Sequence, residues 1–172
     1  TQSYRLFSFV TVLLKEAPQL VNMSSYDFRR TPLHLAVMGG HVSIVEKLLS
    51  SGASVHDADI HGSTPLHYAV LGTHDPLVDM LAQQAPNFIH KRFYRVDGGV
   101  SRLNLSPYQE AVKRYRSLGS QPEKARGYAQ CRATLARVFR DSMIAALRRI
   151  RACEGKAESS GVQLNPRSVD QA

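Results

Sequence analysis

Between Val42 and Ser50 the chain reads VSIVEKLLS, and between Pro76 and Gln83 it reads PLVDMLAQ. In both, apolar residues fall at i, i+3 and i+4, the spacing of one face of an α-helix. A shorter helix start precedes each. It is written TPLHLA at 31–36 and TPLHYA at 64–69, with Thr31 and Thr64 33 residues apart. The hydroxyls of Thr31 and Thr64 can cap a helix. Pro32 and Pro65 take the first helical position, where the missing N–H costs nothing. Leu33, Leu35 and Ala36, like Leu66 and Ala69, are expected to turn an apolar stripe inward. Gly40 and Gly72 fall where this first helix should end, and His41 and His74 near the start of a second. A fixed spacing of roughly 20–50 residues marks a stacked repeat, in which no single unit buries its own apolar face.

The pattern extends in both directions. Val21–Asn22, Val55–His56 and Ile89–His90 recur at 34-residue intervals. Tyr4–Asn22 therefore reads as the second helix and exit loop of a unit whose first helix is missing. No Met starts the chain, so it is expected to begin partway into a longer protein or after processing. Downstream, SPYQEAV (106–112) stands in for TPLHLAV, with Ser106 and Gln109 as a capping box around Pro107. Ser106 lies 42 residues after Thr64, nine more than the period, and the added residues fall within Lys91–Leu105. Beyond it, Pro122–Cys153 predicts one long amphipathic helix opened by Ser120 and Glu123. Its apolar positions are Tyr128, Cys131, Leu135, Val138, Phe139, Met143, Leu147 and Ile150. Glu154–Ala172 has the polar composition of a disordered tail.

The stretch Thr31–His56 and the segment DIHGSTPLH (59–67), with their caps, spacing and helix registers in agreement, resemble the ankyrin repeat family. The resemblance implies two antiparallel helices per unit and a β-turn finger projecting between units. It also implies a concave face made by the fingers and first helices, and rings of His34 and His67 that bond the Thr and neighbouring backbone. The expected fold is all-α: a short ankyrin-repeat solenoid with an atypical long C-terminal capping helix. Residues 1–118 would hold the repeats: a partial first unit (1–26), two clear units (27–58 and 59–90) and a degenerate unit with an inserted finger (91–118). A long basic capping helix (119–153) and a polar extended tail (154–172) follow. Two departures stand out. Tyr26 and Arg29 occupy positions where the family places Asp and Gly, which predicts a distorted finger, and the SPYQEAV unit lacks the His.

Composition narrows the function. With 172 residues, 43% hydrophobic and 21% charged, the chain can bury one globular core. No apolar run reaches ~18 residues, so no membrane span is expected. The run Leu6–Leu14 is read as a helix of the fold rather than a signal-peptide core. Cys131 and Cys153 fall on one predicted helix and cannot bridge within it. A reducing, intracellular setting fits them, with cytoplasm and mitochondrial matrix both left open. The net charge is +8, and residues 111–156 carry 12 Lys/Arg against 3 Asp/Glu. An acidic protein surface or a phosphate backbone is the natural counterpart.

Chemistry is sparse. All seven histidines lie between His34 and His90. Their repetition in register points to architecture, since a metal site needs convergence on one point. There is no GxSxG and no glycine-rich phosphate loop, and Asp97–Gly98–Gly99 is a hairpin signal. Basic neighbours favour thiolate at Cys131 and Cys153, yet both read better as small residues on a helix. No catalytic residue, cofactor, metal or small-molecule substrate is expected. Two features remain. The insertion carries Phe93 and Tyr94 among Lys91, Arg92, Arg95 and Arg102, residue types enriched at interface hot spots. The long helix carries Arg126, Arg137, Arg140, Arg148, Arg149 and Arg151, and Arg suits bidentate contact to carboxylate or phosphate.

The function expected is noncatalytic recognition of other proteins by a scaffold, as a subunit of a larger assembly. Arg29, Arg30, His61 and Ser63 of the fingers, with Phe93, Tyr94 and Arg95, are the expected protein contacts. Thr31, Pro32, His34, Thr64, Pro65 and His67 are structural. One alternative is a subunit of a ribonucleoprotein such as a mitochondrial ribosome. There Arg92, Arg102 and the helix arginines would meet RNA or an acidic partner. Another is the regulatory repeat region of a larger enzyme or channel.

Overall fold

The computed structural model describes residues 2–92, 94–97, 100–103, 105–117 and 122–159. Two compact bodies can be separated, Thr1–Phe139 and Arg140–Ala172.

The first body is a double row of helices. Helix α1 (Gln2–Glu16) leads into a 3-10 turn at Pro18–Asn22. Two helix pairs follow, α2 (Pro32–Met38) with α3 (Val42–Ser50), and α4 (Pro65–Leu71) with α5 (Asp75–Gln84). After a 3-10 turn at Pro86–Phe88 come two strands, β1 (Tyr94–Asp97) and β2 (Val100–Leu103). Helices α6 (Pro107–Ser117) and α7 (Pro122–Ser159) complete the order. One row is α2, α4, α6 and the other α1, α3, α5, each helix touching the next in its row. This is the all-α stack expected from the 33-residue register, and Thr31 and Thr64 do begin neighbouring helices. The strands pair antiparallel, Tyr94 with Leu103 and Arg95 with Arg102, and form the inserted finger.

Three periodic devices hold the units together. The first is the core: Leu33, Val37, Val45, Leu48, Val70, Leu77, Leu81 and Ile89 are essentially inaccessible. The second is the helix-pair corner, where a Cβ on Gly72 would meet the His74 ring at 2.5 Å and one on Gly39 the His41 ring at 2.8 Å. Gly40 also sits at φ +67, a conformation that glycine adopts freely. The third is the 34-residue series. Asn22 Nδ2 donates to the Gly52 carbonyl, and its Oδ1 accepts from the Ser54 N–H. The His56 ring packs on Phe88 at 4.4 Å, and that of His90 on Tyr108 and Phe139 at 4.9 and 4.5 Å. Each member of the series therefore reaches into the following unit.

The degenerate unit takes its first helix from α6 and its second from the opening of α7. Ser106 N–H donates to Gln109 Oε1 at 3.1 Å, and Gln109 N–H to Ser106 Oγ at 3.3 Å, which is the expected capping box. Tyr128, Cys131, Leu135 and Val138 of α7 join the core. Tyr128 donates its hydroxyl proton to the Leu71 carbonyl, and Asp75 accepts from Thr134 and Gln130. Gly127 lets the helix approach, since a Cβ there would lie 3.1 Å from Thr73.

Three expectations need correction. Leu35 does not face inward: it is 55% exposed, because Leu33, Ala36 and Val37 already fill the arc toward the core. In the second body, Met143, Leu147 and Ile150 are 51–55% exposed instead of buried. The described part of that body is one helix, and a single helix cannot bury its own stripe. Helix α7 also continues through Glu154–Ser159, assigned above to the tail. Glu154, Lys156, Ala157 and Glu158 are good helix formers, and they outweigh the single Gly155. Ser120 and residues 160–172 of the expected tail lie outside the described residues.

Candidate recognition surface

The fingers begin with Asp59. Its buried Oδ1 accepts the N–H groups of His61 and Ser63 at 2.8 and 2.9 Å, closing the turn that ends at Gly62, φ +68. Its Oδ2 accepts the Tyr68 hydroxyl at 2.6 Å. The preceding finger lacks that Asp. Ser25 substitutes from one residue earlier: its Oγ accepts the Arg30 N–H at 3.1 Å, and its carbonyl accepts the Arg29 N–H. The finger is thereby distorted as expected, widened by one residue, and Arg29 takes the position of Gly62 at φ +52. Ile60 N–H donates to the Phe28 carbonyl, tying one finger to the next.

Arg30, an expected protein contact, is turned mostly inward. Its guanidinium lies over Phe28 at 4.6 Å and Tyr68 at 5.4 Å, and Nη2 donates to the Tyr68 hydroxyl. Nε sits 3.8 Å from Asp59 Oδ2, near enough for ion pairing but without a hydrogen bond. The Tyr68 phenol is pushed above its ordinary pKa, first by burial and then by its bond to Asp59. This cluster locks consecutive fingers, so Arg30 positions the surface more than it reaches from it. His61 and Ser63 are half-buried, held by their backbones to Asp59. Arg29 is exposed at the finger's corner.

His34 and His67 form bolts between units. The Thr31 N–H donates to His34 Nδ1 at 3.1 Å, so the ring proton is on Nε2, which donates to the Ser63 carbonyl. His67 repeats this with Thr64, and its Nε2 donates to the Leu105 carbonyl at 2.9 Å. Burial holds both imidazoles below their usual pKa, outweighing those carbonyl bonds. Burial, then Asp75, pushes the Cys131 thiol up to about 11, so it is a poor nucleophile. Among the described residues, no group of three or more His, Cys, Asp or Glu is arranged to hold a metal ion.

Four exposed large hydrophobic residues, two of the first finger and two of α2, were not among the expected contacts. Tyr26 is fully exposed, Phe28 44%, Leu35 55% and Met38 43%. The register carried a signal: positions 35, 68 and 110 hold Leu, Tyr and Glu, a mixture no shared core position accepts. The inserted finger places Tyr94, Arg95 and Arg102 on its strands, with Arg95 and Arg102 cross-strand neighbours. Phe93 lies outside the described residues. Arg92 is exposed, and Lys91 lies 4.5 Å over the Phe88 ring. Of the helix arginines, Arg126, Arg148, Arg149 and Arg151 are exposed. Arg137 is bonded to Asp79 at 2.8 Å, and Arg140 lies 3.6 Å from Asp141.

These stacked pairs, fingers and histidine bolts define a repeat protein. The chain belongs to the ankyrin repeat family: the family profile described as ankyrin repeats (3 copies) matches residues 3–92. Repeats of this kind are modules of protein–protein interaction. A serine/threonine-protein kinase, VIK of Arabidopsis thaliana, is 46% identical over 50 residues, 29% of this chain. The match spans 11% of the kinase's length. Among the described residues, no helix is long and apolar enough to cross a membrane.

Proposed function

We propose that the chain is a noncatalytic recognition scaffold within a larger assembly, and that it holds a partner protein on the face formed by its fingers and first helices. The observation that carries this reading is the set of exposed apolar residues Leu35 and Met38, one turn apart on the first helix α2, and Phe28, against the Arg30–Asp59–Tyr68 lock of the fingers. Exposed apolar patches on a preorganised frame mark binding surfaces, and a fixed frame spares the ordering cost of association. The inserted finger extends the same reading, with Tyr94 and Arg95 as its contacts. The test is copurification under gentle conditions after nuclease treatment. A protein retained by the wild type should be lost with Leu35→Arg/Met38→Arg and kept with Ser43→Arg, which lies on α3. Retention by the first variant overturns the reading.

A second reading is the regulatory repeat region of a larger enzyme, which the kinase similarity favours. Sequencing the full transcript separates the two: a catalytic domain in the same open reading frame supports it, and its absence removes it.

A further inference from the structure

We infer that residues 140–152 of α7 are a separate recognition element, a basic amphipathic helix that docks into an apolar groove rimmed by carboxylates on another protein. This goes beyond the finger-face reading and stands on different residues. Met143, Leu147 and Ile150 are spaced by four and three positions, so they share one stripe of the helix. They are 51, 53 and 55% exposed, and Ile144 beside them 41%. The same stretch carries Arg140, Arg148, Arg149 and Arg151 against the single acid Asp141.

The order of these residues around the helix selects the occupant. At about 100° per residue, Arg140 and Arg151 fall within about 40° of Leu147, between it and Ile144. The exposed face is thus a mosaic of aliphatic and guanidinium positions. A bilayer surface favours a clean division of apolar and basic faces with aromatic anchors, and residues 140–152 contain no aromatic residue. RNA would engage the arginines but leave Met143, Leu147 and Ile150 in water, since aliphatic side chains offer no stacking platform. A second copy would set one cationic stretch against another. A protein groove with an apolar floor and an acidic rim satisfies both halves of the mosaic. The aliphatic anchors fill the floor, and each guanidinium fork takes a carboxylate.

The probe is calcium-loaded calmodulin, whose opened helix pairs present an apolar, methionine-rich groove on an acidic protein. It is titrated calorimetrically with the full chain at physiological salt. Parallel arms use phosphatidylserine vesicles, single-stranded RNA, and sedimentation of the chain alone. Saturable binding is expected, abolished by calcium chelation. It should weaken by about tenfold or more in Leu147→Gln/Ile150→Gln and by several-fold in Arg140→Gln/Arg151→Gln. Arg149→Gln, on the opposite side of the helix, should change it less than about twofold. Circular dichroism confirms that each variant keeps its helix content. The proposal is overturned by no binding at tens of micromolar, or by binding that Leu147→Gln/Ile150→Gln leaves intact. It is equally overturned if vesicles, RNA or self-association, rather than calmodulin, require Leu147 and Ile150.

Discussion

The bolt at His67 can be taken apart within the molecule's own vocabulary, because the next unit carries Gln109 in the same register. His67 is 3% exposed; it accepts from the Thr64 N–H and donates to the Leu105 carbonyl. Gln109 performs only the first task, accepting from the Ser106 N–H. His67→Gln therefore keeps the cap and loses the bond across to Leu105, at a cost of about 1 kcal/mol. His67→Leu loses both. It leaves the buried Thr64 N–H unpaired, which adds the desolvation penalty, for a total of about 2–4 kcal/mol. Urea unfolding at pH 7.5, followed by far-ultraviolet circular dichroism, measures both. The reasoning is refuted if the two variants are equally stable, or if both lie within about 0.5 kcal/mol of wild type.

Other outcomes follow from the same structure. The folded pKa of His34 and His67 lies below 6.5, so the unfolded chain takes up protons first. The stability from the neutral rings should be complete above about pH 6.5, fall as pH drops toward the folded values, and level off below them. Melting temperature across pH 5–8 measures this, and His67→Gln should flatten part of the slope. Leu135→Ala, at a fully buried position of α7, should cost about 2–5 kcal/mol. A loss under about 1 kcal/mol in urea unfolding would detach Pro122–Phe139 from the core. Asp59→Ala should cost about 2–4 kcal/mol, since it strips two backbone amides and Tyr68 of their acceptor. Arg29→Gly, at φ +52, should stay within about 1 kcal/mol of wild type, because relief of positive-φ strain offsets the added freedom of the unfolded chain, and a larger loss in thermal unfolding would refute the finger geometry.

What the sequence made legible was whatever is written locally and repeated. Thr31–His34, Thr64–His67 and Ser106–Gln109 each lie three residues apart, so their caps could be read directly. The positive-φ corner at Arg29 was visible only as a departure from Gly62; its repair by Ser25 was not, because the donor moved one position. Arg30 was read as an outward contact. Its partners Asp59 and Tyr68 lie 29 and 38 residues on and meet it only once the fingers stack. The Arg137 ion pair was hidden for the same reason, Asp79 being 58 residues away. The apolar stripe of α7 was legible through Ile150, but periodicity says that a face has a partner, not whether that partner lies in the same compact body.

The central claim, that the finger and first-helix face does the gripping, is tested most directly by site-specific photo-crosslinking of the intact protein in its native extract. A photoreactive phenylalanine analogue at position 35, exposed on α2, should crosslink to one discrete protein species. The same analogue at position 46, exposed on α3, should not. Crosslinking from position 46 and not from position 35, or from position 35 to nucleic acid alone, would contradict it.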